Sequence, residues 1–187
     1  MILGDRIRLR AIEREDLPLF VAWFNDPEVR QYLSIDLPLS MSQEEDWYEN
    51  MRKQAPRQHP LVMEITTPQG WVPIGNVSLF DFDDRNRGAE LGIFIGDKKY
   101  WNKGYGREAV KLICKHGFET LNLHHIYLWV HATNLRGIHA YEKAGFVHEG
   151  RKREAIFSKG EYIDLLLMGL LRTEWQKIVA SSGEKND

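Results

Sequence analysis

The sequence predicts a mixed α/β domain, and three observations predict it. Stretches that alternate polar and apolar residues are interleaved with stretches whose apolar residues recur at helical spacing. The apolar share is 43%, and the 15 glycines in 187 residues bring it to roughly 51%, an ordinary globular composition. The segments 89–95, 104–121 and 125–131 then read as strand, helix and strand, the order of one parallel crossover.

The elements follow in order. Arg6-Ile7-Arg8-Leu9-Arg10-Ala11-Ile12 has the period of a half-buried strand. Acids and a proline at Glu15-Asp16-Leu17-Pro18 open a helix carrying Leu17, Phe20, Val21 and Phe24, and Asn25-Asp26-Pro27 stops it. Ser42-Gln43-Glu44-Glu45 reads as a capping box before a helix through Trp47, Tyr48 and Met51. Leu61–Thr67 and Trp71–Phe80 are strands around the turn Pro68-Gln69-Gly70, Asp81–Gly88 is a polar loop, and Ala89–Ile95 is a third strand. Val110, Ile113, Cys114 and Phe118 mark a helix over 104–121, and His125–His131 is a β-branched and aromatic strand. A short helix, Arg136–Ala144, stops at Gly145. Two strands around Lys159-Gly160 follow, then a last helix with Trp175. One domain is expected over 1–180, with 181–187 a disordered tail.

Composition excludes several functions. Lys plus Arg is 25 and Asp plus Glu is 27, so the net charge is −2 and no global field holds the chain on nucleic acid or an anionic membrane. One cysteine, Cys114, permits no intrachain disulfide and no cysteine zinc site. The first residues carry charge where a signal peptide needs an apolar run, and Leu165–Leu171 is far short of a bilayer span. A cytoplasmic protein is expected. The seven histidines are scattered without zinc-ligand spacing, and Asp81-Phe82-Asp83-Asp84-Arg85 departs from a calcium loop, so no metal is expected.

The most informative segment is Tyr100-Trp101-Asn102-Lys103-Gly104-Tyr105-Gly106-Arg107-Glu108-Ala109. Two glycines stand where a loop becomes a helix, so unpaired amides and the helix dipole can meet an anion, with Lys103 and Arg107 beside them. The plain alternative is a flexible helix entry without a ligand. A P-loop is absent. The segment matches the glycine spacing of a dinucleotide fold, but 96–103 separates it from the preceding strand and the later acid is missing. Coenzyme A is the third candidate.

Three segments, in order, resemble the GNAT family of acyl-CoA-dependent N-acetyltransferases: Trp101–Gly106, Asn134–Phe146, and the closing hairpin from Glu149 to Met168. Trp101 stands where the family usually has Gln or Arg. Trp101 and the hairpin are similar to the ribosomal-protein-acetylating subgroup, and Phe118–Leu123 to the bacterial spermidine acetyltransferases. The resemblance implies a mixed, mostly antiparallel sheet with flanking helices and a splayed parallel strand pair holding pantetheine, here Leu91–Ile95 and His125–His131. It implies acetyl-CoA contacts from Ile93, Phe94, Ile95, Asn102, Lys103, Gly104, Tyr105, Gly106, Arg107, Asn134 and Arg136, with amides near Ile93 polarising the thioester. Asn134 is equally a plain helix N-cap.

Tyr141 matches the family's general acid, and Glu90 its general base; their plain alternatives are a packed aromatic and an exposed strand-end acid. Before environmental tuning, a phenol near 10 gives its proton to a thiolate near 8.5 at a cost of about 2 kcal/mol. The acceptor would meet 25–40 and 156–162. Acids there or nearby (Asp36, Glu44, Glu45, Asp46, Asp81, Asp83, Asp84 and Glu161) suit a polyamine or a peptide N-terminus, or are simply solvated surface. A homodimer is an expected assembly. The rivals are a non-catalytic acyl-CoA-binding module and a dinucleotide-binding protein.

Overall fold

A computed structural model describes residues 1–33, 35 and 38–183. Eight strands form one sheet: β1 (Ile2–Leu3), β2 (Ile7–Ala11), β3 (Leu61–Thr67), β4 (Gly70–Asp83), β5 (Gly88–Ile95), β6 (His125–His131), β7 (Val147–Ser158) and β8 (Glu161–Leu171). Their spatial order is β1-β2-β3-β4-β5-β6-β8-β7, and every neighbouring pair is antiparallel except β5–β6. The mixed sheet and its single parallel crossover are as expected. The helices are α1 (Leu17–Phe24), α2 (Pro27–Arg30), α3 (Met41–Met51), α4 (Tyr105–Lys115), α5 (Leu135–Ala144) and α6 (Arg172–Gly183). Asp36 and residues 184–187 of the expected tail lie outside the described residues.

Alternation along the strands divides the interior in two. Ile7 and Leu9 of β2, Ile126, Leu128 and Val130 of β6, and Val110 and Ile113 of α4 belong to one apolar cluster. Leu17, Phe20 and Trp23 of α1 and Tyr48 and Met51 of α3 form a second, against Val62 and Phe94. Side chains of one strand point to opposite faces in turn, so Tyr127, Trp129 and His131 face away from the first cluster. The arginines of β2 are spent on an ion network: Glu64, only 4% exposed, accepts from Arg8 Nε at 2.5 Å and Arg10 Nε at 2.9 Å, and Arg10 reaches Asp16 at 2.7 Å. A carboxylate this buried survives because cations satisfy both its oxygens.

Three local readings shift. The cap of α3 is Ser40, whose hydroxyl accepts from the Gln43 amide while the Gln43 side chain accepts from the Ser40 amide; a glutamine closes the box as well as a glutamate. β4 continues to Asp83 through an irregularity between Phe80 and Asp83, so the polar loop is shorter than its composition suggests. The helix over 104–121 is α4 followed by a π turn at His116–Thr120, and Arg172 donates to the carbonyls of Phe118 and Leu123 there.

Candidate active site

The parallel pair is bonded at one end only. β5 and β6 match at Gly88↔His125, Ala89↔Ile126 and Glu90↔Tyr127, and no further. Beyond that point β5 stays on β4 as far as Ile95, and β6 stays on β8 as far as His131. The strands therefore part, and a cleft of about 670 Å³ opens between them, reaching from Glu90 to the glycine loop. The facing strand edges carry backbone groups that need a partner.

At the far end, Asn102 and Gly104 have φ of 59° and 84°, a left-handed turn that delivers the chain into α4. Glu108 in the first turn anchors this entry: it accepts from the Arg6 amide and from Arg6 Nε, both at 2.8 Å. Trp101 donates from Nε1 to the Ile95 carbonyl at 2.8 Å, and the Arg136 guanidinium lies 3.7 Å from the Trp101 ring. The indole thus closes the end of β5 and carries a cation whose charge burial disfavours. Gly106 is informative because the fold does not require it. Its φ is not left-handed, and a Cβ there would meet only Ile95 Cδ1, at an ordinary 3.5 Å. Yet Gly106 lines the cleft, so a side chain would fill space available to a ligand. Loop amides, Lys103 and Arg107 beside such space suit a diphosphate.

Of the residues expected to touch the acyl donor, all but one line the cleft. The exception is Tyr105, whose side chain turns to the core, edge-on to Tyr100 and under the Arg6 guanidinium at 4.7 Å. Asn134 does cap α5, its Oδ1 accepting from the Gly137 amide at 3.0 Å, while also lining the cleft. Tyr141 and Glu90 both line it. Burial pushes the Tyr141 phenol up to about 12, so it holds its proton at neutral pH. Glu90 is half-buried and raised, first by burial and then by the charge of Asp81.

The other acids divide by partner. Asp83 is held by the Asn86 amide and pulled down, and Asp84 pairs with Arg57 at 2.7 Å. Glu44 is buried in the second cluster's helix layer, and Glu45, Asp46 and Glu161 are exposed. Only Asp81 bears on Glu90. Several lining residues had not been singled out: Tyr32, Phe80, Trp129, His131, His139 and Lys143. Counting alternate residues along 125–131 from a strand-end acid would have placed Trp129 and His131 on one face. Among the described residues no His, Cys, Asp or Glu cluster suits a metal ion, and no helix is long and apolar enough to cross a membrane.

Comparison with known proteins places the fold among acetyltransferases. The acetyltransferase (GNAT) domain family matches residues 6–147. An uncharacterized N-acetyltransferase, p20, of Bacillus licheniformis is 31% identical over 171 residues, 91% of this chain and 96% of that protein. The spermidine N(1)-acetyltransferase of Vibrio cholerae is 30% identical over 174 residues, 92% of this chain and 97% of that protein. A crystal structure of the Vibrio cholerae spermidine N-acetyltransferase with CoA and spermine superposes with a TM-score of 0.82 at 31% identity, covering 92% of this chain and 99% of the other.

Proposed function

The chain belongs to the acetyltransferase (GNAT) family, and we propose that the amine receiving the acetyl group of acetyl-CoA is a small polyamine such as spermidine. The observation that carries the reading is the end of β5–β6 pairing at Glu90↔Tyr127, which leaves one slot with cations at one end and unpaired acid at the other.

In this reading the loop amides of 102–107, with Lys103, Arg107 and Arg136, hold the phosphates of acetyl-CoA. Ile93, Phe94 and Ile95 offer backbone groups to pantetheine, and Asn134 borders it. At the other end Glu90 and Asp81 meet the acceptor; among the described residues neither is ion-paired. A primary ammonium titrates near 10.4 and must lose a proton before attack. Glu90 takes that proton, directly or through water. The free amine forms a bond to the carbonyl carbon, the carbon–sulfur bond breaks, Tyr141 gives its proton to the departing sulfur, and the second proton the nitrogen sheds on becoming an amide returns to the Tyr141 phenolate directly or through water. Placement of the two substrates supplies much of the remaining rate. A polyamine leaves a second cation near Asp81 after its first amine has been neutralised, which a monoamine cannot do. The spermidine acetyltransferases among the relatives point the same way.

A thiol-release assay tests this. Spermidine and spermine are expected to exceed simple amino acids and basic-N-terminal peptides by at least about tenfold in kcat/KM. A peptide as the best acceptor would replace the polyamine, and no amine-dependent CoA release would leave only a binding module.

A further inference from the structure

Among the described residues one buried side-chain polar atom has no hydrogen-bond partner: Nδ1 of His131. Buried polar atoms are nearly always satisfied, so an exception needs a reason. His131 ends β6, where it pairs with Leu165 of β8, and it lines the cleft. It lies four residues beyond Tyr127; four residues beyond Glu90, the partner of Tyr127, is Phe94. His131 and the residues 93–95 therefore lie on opposite banks of the open slot and line the same cleft. Tyr32 packs edge-on against it, with ring centroids 5.7 Å apart at 81°, and the Tyr32 hydroxyl donates to the Thr133 carbonyl at 3.4 Å. These contacts fix the imidazole in place.

Burial lowers the His131 pKa, so the ring is neutral at neutral pH and carries one proton. On Nδ1 that proton would make an orphaned buried N–H, the rarer and costlier defect. On Nε2, the nitrogen left to the cleft, it makes a donor. We propose that His131 is a further catalytic residue, whose Nε2–H donates to the thioester carbonyl oxygen from β6 while the β5 backbone near Ile93 meets that oxygen from the other side.

As the amine bonds to the carbonyl carbon, the carbonyl pair moves onto oxygen, and it returns when the carbon–sulfur bond breaks. His131 stabilises that charge and keeps its proton throughout, as a neutral donor should. The inference rests on acetyl-CoA occupying the slot.

Two variants and one spectrum test it. His131→Leu is expected to lower kcat about 100-fold while the acetyl-CoA Kd stays within about twofold. The carbonyl band of bound carbonyl-¹³C acetyl-CoA, read by isotope-edited infrared spectroscopy, is expected at higher frequency in that variant because a hydrogen bond is gone. His131→Gln, whose amide nitrogen can take the place of Nε2, is expected to restore at least about tenfold of the lost rate. A Leu variant within about threefold of the parent kcat, an unmoved band, or a Gln variant no better than Leu would each overturn the proposal. If the unsubstituted protein fails to bind acetyl-CoA, the underlying reading falls with it; binding with an unmoved band removes His131 alone.

Discussion

The two ends of the cleft are built in opposite ways. The glycine-loop end is local in sequence: Trp101 to Arg107 supply the turn and two cations, and Asn134 and Arg136 open the next helix. The Glu90 end is assembled from separate elements, namely the irregular end of β4, the root of β5, and Tyr127 at the start of β6. One end is cationic and rich in backbone donors; the other carries the paired influence of Glu90 and Asp81 among aromatic rings. Under the proposed function, opposite charge at the two ends would orient an anionic acyl donor and a cationic amine with their reactive groups meeting in the middle. The parting of β5 and β6 is what makes both ends accessible from one slot.

The comparison can be broken first at the glycine loop. Gly106→Leu is expected to raise the CoA Kd by about 100-fold or more while thermal stability changes by less than about 1 kcal/mol, because the added side chain meets ligand space rather than packed atoms. An equal loss of stability would place the requirement for glycine in the fold. Next, Tyr141→Phe should lower turnover on the order of 100-fold with acetyl-CoA binding retained, measured by single-turnover kinetics; unchanged turnover would remove Tyr141 from the chemistry.

Glu44 supplies a control away from both ends. Burial raises its carboxyl to about 7, so the folded protein binds this proton more tightly than the unfolded chain. Stability from this group is fully present below the ordinary glutamate range and is lost as pH rises through about 7. Glu44→Gln should therefore stabilise the protein at pH 8 by about 1–2 kcal/mol, allowing for solvent screening, and make little difference near pH 4, as read by denaturant unfolding. Its turnover should be unchanged. The smallest effect is Asp81→Asn: relief of like charge lowers the Glu90 pKa, and the acidic limb of the kcat/KM profile moves down by less than about one pH unit. A limb that stays put would detach Glu90 from the acceptor's proton.

The same contrast explains what could be read in the sequence. The glycine loop and the Asn134 cap are legible because each is set by one loop or one helix, whereas Tyr141 is marked only by the resemblance of 134–146 to the family. The loop motif gives the positions but not the direction of each ring: the Tyr105 side chain turns toward Arg6, a contact made across about a hundred residues of chain, which leaves only its backbone to the loop. The acceptor end is less legible. Asp83 and Asp84 look like acceptor ligands by charge, yet a turn and Arg57 consume them. Glu44 has the same formal charge and is directed inward by α3 packing. Trp129 and His131 alternate in plain sight along 125–131, but their meaning depends on knowing where β5 stops pairing with β6, which no local pattern encodes.

A crystal structure of the protein with CoA addresses the central claim most directly. The account predicts the diphosphate within hydrogen-bond distance of backbone amides in 102–107 and the pantetheine arm lying between 91–95 and 129–131. CoA bound elsewhere, or β5 and β6 zipped together past Glu90 with the slot closed, would contradict it.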